Sequence, residues 1–77
     1  MDRYAYPYVT GPAGNRMKCQ LRDKVEENGE IIYIFLMESS GDTFGITKKN
    51  NEWVFVNGNA HLDHWIQELG KYLDDNL

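Results

Sequence analysis

The residues best suited to bind a ligand alternate along two neighbouring segments of the sequence. Every second position from 16 to 24 carries a basic or amide side chain, and positions 33, 35 and 37 carry two aromatic rings and a methionine. Side chains at alternate positions of a β-strand point to the same face of its sheet. One face is therefore predicted to form an interaction surface of Arg16, Lys18, Gln20, Arg22, Lys24, Tyr33, Phe35 and Met37.

Three interpretations of this predicted surface are open. Aromatic rings surrounded by cations can bind single-stranded nucleic acid, with bases stacked on the rings and phosphates held by the cations. Aromatic residues, Met and Arg are also enriched at protein interfaces, and long basic side chains can simply cover neighbouring rings without any ligand. Because the net charge is −4 and phosphate contacts supply most non-specific affinity, a protein partner or a homodimer is favoured over nucleic acid.

Other residue types with catalytic or metal-binding chemistry are sparse. His61 and His64 lie three positions apart at the start of a predicted helix with Asp63 between them, but a metal site needs further ligands from elsewhere. Cys19 has no nucleophile signature around it and is predicted to face the core. The glycines are scattered singly and form no phosphate-binding loop. The sequence therefore predicts a non-catalytic protein with no metal, no cofactor and no small-molecule substrate.

A two-residue turn at Asn28-Gly29 is predicted to set the alignment of the strands that carry this surface. Asn-Gly is a preferred pair for a type I′ hairpin, because both central positions need a positive φ. Positions whose numbers sum to 57 would then lie opposite each other, which pairs Lys24 with Tyr33 and Arg22 with Phe35. The alternate positions 21, 23 and 25 would share the other, apolar face with positions 32, 34 and 36.

A second hairpin and one helix complete the predicted fold. Strands over 43–49 and 52–57 are joined at Asn50-Asn51, and a short edge strand precedes residue 10. Asn59 is the predicted N-cap of a helix from about His61 to Asp74. Apolar residues recur at spacings of three and four along that helix and form one stripe, namely Leu62, Trp65, Ile66, Leu69 and Leu73, with Tyr72 at its margin.

These elements predict an α+β fold: a four- or five-stranded antiparallel β-meander with one amphipathic C-terminal helix packed on one face. The 77 residues are expected to form a single domain over 1–77, close to the lower size limit for a self-sufficient core. The longest apolar run spans seven residues, from Ile31 to Met37, whereas a membrane-spanning helix needs about 20. With one cysteine and no signal-peptide pattern, a cytoplasmic location without membrane contact is expected.

Charge is distributed unevenly along the chain. Residues 1–24 carry five basic and two acidic side chains, a balance of +3, whereas residues 25–77 carry three basic and ten acidic side chains, a balance of −7. Such an asymmetry can give the folded molecule surfaces of opposite sign. The partner, the oligomeric state and the biological process are not encoded in any motif.

Overall fold

The computed structural model describes residues 7–58 and 63–76 of the chain. Within these residues, five antiparallel strands form one curled sheet in chain order, and a C-terminal helix packs against it. The predicted α+β meander is confirmed. The elements are β1 (Tyr8–Thr10), β2 (Arg16–Glu27), β3 (Glu30–Met37), β4 (Thr43–Lys49), β5 (Glu52–Gly58) and α1 (Asp63–Asn76).

Both predicted hairpin turns are present. The φ angles are +52° at Asn28 and +81° at Gly29, and +50° at Asn50 and +67° at Asn51. Positive φ at both central positions is the signature of a two-residue type I′ turn, and asparagine tolerates this region better than most residues. The register immediately beside each turn is the predicted one.

A β-bulge at Arg22 changes which side chains of β2 and β3 share a face. Beyond the bulge, Leu21 rather than Arg22 lies opposite Phe35. Because side chains alternate between faces, one extra residue moves every later side chain of that strand to the other side. The predicted pairing of Arg22 with Phe35 is therefore wrong. The rule that paired positions sum to 57 also predicts Gln20 opposite Met37, which is wrong for the same reason, since Gln20 lies opposite Leu36.

A second bulge lies between β4 and β5. Ile46 lies opposite Phe55 as predicted, but Gly45 lies opposite Asn57 rather than opposite Val56. Val56 is the extra residue of β5 at this point. Bulges of this kind bend and twist a strand, which contributes to the curl of the sheet around the helix.

The helix buries one apolar stripe against the sheet. Trp65, Ile66, Leu69 and Leu73 are buried and Tyr72 is partly buried, as predicted for the described part of the stripe. We call the side of the sheet that the helix covers the inner face and the opposite side the outer face. The sheet contributes the rest of the core, namely Val9, Cys19, Tyr33, Phe35, Met37, Phe44, Ile46 and Trp53.

Gly70 allows the helix to approach β5 closely. A Cβ atom at Gly70 would overlap three ring atoms of Trp53. That ring is held in place, because its Nε1 donates a hydrogen bond to Asp74 Oδ2 at 3.3 Å and the ring makes a T-shaped contact with Tyr33, with centroids 5.7 Å apart. The glycine that weakens the helix locally is therefore required by the packing.

Side chains of the helix also seal the exposed edge of β1. The main-chain N–H of Thr10 donates to the carboxylate of Glu68 at 2.9 Å. The carbonyl oxygen of Thr10 accepts hydrogen bonds from Trp65 Nε1 at 2.8 Å and from His64 Nε2 at 2.7 Å. An open strand edge invites pairing with another chain, and these bonds occupy the Thr10 edge.

Cys19 is expected to react slowly in the folded protein. Its side chain is fully buried, and burial together with the carboxylates of Glu38 and Glu68 raises the pKa of the thiol from 9.0 to about 11. The thiolate is the reactive form, so N-ethylmaleimide at neutral pH should label the native chain on the order of 100-fold more slowly than the denatured chain, through rare openings. Mass spectrometry over time measures both rates. Comparable rates would place Cys19 on the surface.

Several predictions fall on residues outside the described ranges. These are the N-cap at Asn59, the start of the helix at His61 and Leu62, and any part of the predicted edge strand that precedes residue 7. Within residues 7–58 and 63–76, no helix is both long enough and apolar enough to cross a bilayer.

Candidate functional site

Three residues of the predicted interaction surface lie in the core. Tyr33, Phe35 and Met37 are 7%, 0% and 2% exposed, because the helix packs on their side of β3. The prediction that they form an exposed surface is therefore wrong. Bases cannot stack on rings that a helix covers, so the nucleic-acid interpretation loses the contacts on which it depended.

The polar residues of the predicted surface divide between the two faces of the sheet. Arg16, Lys18 and Gln20 lie on the outer face of β2, whereas Lys24, beyond the bulge, follows the inner face. Arg22 occupies the bulge itself and is exposed. The structure thus brings together three of the five polar side chains that the sequence placed on one surface.

These three outer-face side chains contact neighbours within the chain. The guanidinium carbon of Arg16 lies 4.6 Å from the centre of the Tyr8 ring. Gln20 Nε2 donates to Glu38 Oε2 at 2.8 Å, and Lys18 Nζ lies 3.9 Å from the same oxygen. They form a polar border at one end of the outer face.

Aliphatic side chains occupy the centre of the outer face. They alternate with core residues along β2, β3 and β5, and most are partly exposed. Within the described residues, no helix or strand packs over them, since the buried side chains of α1 lie against the inner face. We call this set the outer apolar patch, and it consists of Val25, Ile32, Ile34, Leu36 and Val54.

Sequence reasoning assigned positions 32, 34 and 36 to the core side and so missed this patch. A signal was nevertheless present, because the run from Ile31 to Met37 is apolar on both faces, as in a strand that is covered on both sides. A single helix can cover only one side of a sheet. The apolar residues on the other side must then be exposed or lie against something else.

Two isoleucines of the outer apolar patch pack tightly onto the sheet. A Cβ atom at Gly45 would lie 2.9 Å from Ile32 Cγ2 and 3.0 Å from Ile34 Cδ1, so both side chains lie over the glycine. Ile32 is only 4% exposed, and the buried hydroxyl of Thr47 beside it donates to the carbonyl of Ile31 at 2.7 Å. The side chains at the centre of the patch are therefore already ordered, which lowers the conformational entropy lost on binding.

Charges of opposite sign flank the outer apolar patch. At the end of the sheet where both hairpins turn, the outer face carries three acidic residues and one basic residue, namely Glu27, Glu30, Glu52 and Lys49. At the other end it carries two basic residues and one acidic residue, namely Arg16, Lys18 and Glu38. The outer face is acidic at one end and basic at the other, and the exposed carboxylate of Asp23, which lies opposite Ile34, adds a negative charge in the middle.

A cleft of about 380 Å³ opens between the first hairpin turn and the end of the helix. Ile31, Tyr33 and Trp53 form its apolar walls, and an ion pair of 2.9 Å joins Lys48 to Asp74 at its side. Hydrogen bonds from Lys48 and Trp53 lower the pKa of Asp74. Both carboxylates that line it are ion-paired, Asp74 with Lys48 and Glu30 with Lys49, and no buried polar side chain of the described residues lacks a partner.

Metal chemistry finds no support in the described ranges, 7–58 and 63–76. They contain no group of three His, Cys, Asp or Glu side chains placed to hold a metal ion. The histidine pair considered from the sequence is only half described, since His61 lies outside these ranges. The side chain of His64 bonds to the main chain of Thr10.

Comparison with family models, curated proteins and solved structures finds no match to this chain. Functional inference therefore depends on its own residues and geometry.

Proposed function

We propose that this chain is a small non-catalytic interaction domain that regulates or inhibits its partner by covering a surface, and that the outer apolar patch is the binding surface. The observation that supports this is the partial exposure of Val25, Ile34 and Leu36 on one sheet face over which no described element packs. Soluble proteins rarely expose contiguous apolar patches larger than roughly a few hundred Å², and patches above that size with a polar rim mark interaction sites.

The composition of the outer face matches that of a protein interface. An apolar centre surrounded by a polar rim is the usual arrangement, and here Lys18, Gln20 and Glu38 form part of the rim. Removing apolar surface from water stabilises a complex by about 25 cal/mol per Å² before the costs of association. Partly exposed aliphatic side chains that are already ordered therefore offer affinity at a small entropic cost.

We further propose that the protein acts in the cytoplasm. Its one cysteine, Cys19, is buried and holds its proton, so the fold relies on no disulfide and suits a reducing compartment.

Site-specific photo-cross-linking tests the proposed surface. A benzoyl-phenylalanine introduced at Val54, on the rim of the patch, should form protein adducts when the chain is irradiated in cells of its own organism. The same residue at Gln67, which is exposed on the helix, is the matched control and should form few adducts. Ile34→Lys should abolish the adducts at Val54, because a charge in the apolar centre costs several kcal/mol when it is desolvated.

Two results would contradict the proposal. One is an equal yield of adducts from the two positions, which would show that the patch binds proteins no better than the rest of the surface. The other is a complete lack of adducts at Val54. Circular dichroism and thermal melting of the Ile34→Lys variant establish that it remains folded, so that loss of adducts reports on binding.

A further inference from the structure

We propose that the cleft between the first hairpin turn and the end of the helix binds a small organic ammonium ion, namely a primary amine that carries an aromatic or branched apolar group. None of the described residues that line the cleft belongs to the outer apolar patch, so this inference adds a second site and does not depend on the proposed function. The shape of the cleft, its charge and the ammonium group already present at its side support the proposal.

The cleft opens where the two hairpins diverge. The paired register of β3 and β4 ends at Tyr33 and Ile46. Beyond this point both hairpins line the cleft, the first through Ile31 and the second through Lys48. Its volume of about 380 Å³ lies within the range of small-ligand pockets, which combine apolar walls with a few placed polar groups. Ile31 is 40% exposed, so an apolar group bound against it would remove surface from water.

An ammonium group of the chain itself lies at the side of the cleft. Lys48 Nζ is 2.9 Å from Asp74 Oδ1 and 5.5 Å from the centre of the Trp53 ring, within the range of a cation–π contact. The other oxygen of Asp74 accepts a hydrogen bond from Trp53 Nε1 at 3.3 Å, so the carboxylate is held in place independently of Lys48. The amine of a ligand at this position makes the same two contacts.

The lining of the cleft favours cations over anions. Two carboxylates and one ammonium group line it, those of Glu30, Asp74 and Lys48. Hydrogen bonds from Lys48 and Trp53 lower the pKa of Asp74, so this carboxylate is ionised at neutral pH. Asp74 also belongs to the last turn of the helix, where the helix dipole is negative. A ligand with a positive charge is therefore attracted to this end of the cleft.

Displacing Lys48 costs little. Its side chain is 41% exposed and that of Asp74 is 47% exposed, and exposed ion pairs contribute little to stability because water screens them. A ligand amine replaces the ammonium group of Lys48 at Asp74, and that group returns to water. The apolar part of the ligand, packed against Ile31, Tyr33 and Trp53, then supplies the net affinity. A cation without an apolar part has no such advantage over Lys48.

A titration with phenethylamine, followed by nuclear magnetic resonance, tests the site. The dissociation constant should lie below about 1 mM, as expected for a ligand of about nine heavy atoms. The indole N–H signal of Trp53 should shift, whereas that of Trp65, which donates to Thr10 in the first part of the helix, should not. Phenethyl alcohol has the same shape without the charge, and it should bind at least about tenfold more weakly.

Removing the internal ammonium group distinguishes a ligand site from a purely structural ion pair. Lys48→Met should tighten the binding of phenethylamine about threefold or more, because the ligand no longer competes for Asp74. Lys71→Met makes the same change in net charge at an exposed position of the helix, and it should leave the dissociation constant unchanged. Asp74→Asn keeps an acceptor for Trp53 and should weaken binding at least about tenfold. Thermal melting establishes that each variant is folded.

Three results overturn the proposal. One is a Trp53 signal that does not move, and another is equal binding of the amine and the alcohol, which would show that the cleft does not recognise the charge. The third is a Lys48→Met variant that binds phenethylamine no more tightly than the parent. Equally tight binding of N-acetyl-lysine amide would overturn the small-molecule assignment, because the apolar group would then contribute nothing. Cross-linking at Val54 is independent of all these outcomes, so the proposed function and this site fail separately.

Discussion

Replacing Phe35 with alanine is expected to lower the free energy of unfolding by about 3–5 kcal/mol, the usual cost of removing a buried phenylalanine ring. Phe35 is 0% exposed, lies under the helix, and its ring centroid is 6.4 Å from that of Phe44. The whole free energy of unfolding of a small domain is only about 5–15 kcal/mol. A large part of the Phe35→Ala population should therefore unfold at physiological temperature. Urea unfolding followed by tryptophan fluorescence measures the change.

This result also decides between the two placements of Phe35. A side chain on the exposed surface predicted from the sequence would change stability by less than about 0.5 kcal/mol when truncated. Phe55→Ala is the matched control, since Phe55 is 37% exposed on β5, and it should cost clearly less than Phe35→Ala. Equal costs for the two variants would contradict the inner-face packing described for β3.

Replacing Gly70 with alanine is expected to destabilise the protein by up to about 2 kcal/mol, although alanine is the better helix former. Helix propensity favours alanine by about 1 kcal/mol, but the added methyl group must displace the ring of Trp53. That ring is 8% exposed and is held by Asp74 and Tyr33, so moving it towards the cleft that it borders breaks these contacts. Overpacking of this kind typically costs about 1–3 kcal/mol, and it outweighs the gain in propensity.

A double-mutant cycle isolates the contact between Gly70 and Trp53. In a Trp53→Leu background the bulky ring is absent, so Gly70→Ala should be neutral or stabilising by up to about 1 kcal/mol. Gln67→Ala, at an exposed position of the same helix, should change stability by less than about 0.5 kcal/mol in both backgrounds. A stabilising Gly70→Ala in the parent would show that the helix does not lie against Trp53.

The turns and the helix could be predicted because their signals are local. A type I′ turn needs positive φ at two adjacent residues, and Asn28-Gly29 meets that need without reference to the rest of the chain. The apolar stripe through Trp65 and Leu69 repeats with the period of a helix, so it identifies both the element and its buried side. In each case a few neighbouring residues are sufficient to predict the element.

The candidate site could not be predicted in the same way. Along β3, the odd positions 33–37 and the even positions 32–36 are both apolar, so alternation by itself does not indicate which side faces the core. Nothing near Arg22 marks it as the extra residue of a bulge. A shift of one residue exchanges the two faces of a strand. The predicted turn at Asn28-Gly29 was therefore correct, whereas the interaction surface predicted from it was wrong.

The sequence by itself determined the elements, the two turns and the apolar stripe of the helix, because propensity, turn chemistry and periodicity act over a few residues. Only the tertiary structure decided which face of β3 the helix covers. That choice depends on filling the space between the sheet and the helix at close-packed density. Tyr33, Phe35 and Met37 fill it together with Trp53 and the helix, and the bulge at Arg22 turns Cys19 and Leu21 towards them. The smaller aliphatic residues of β3 are thereby left on the outer face.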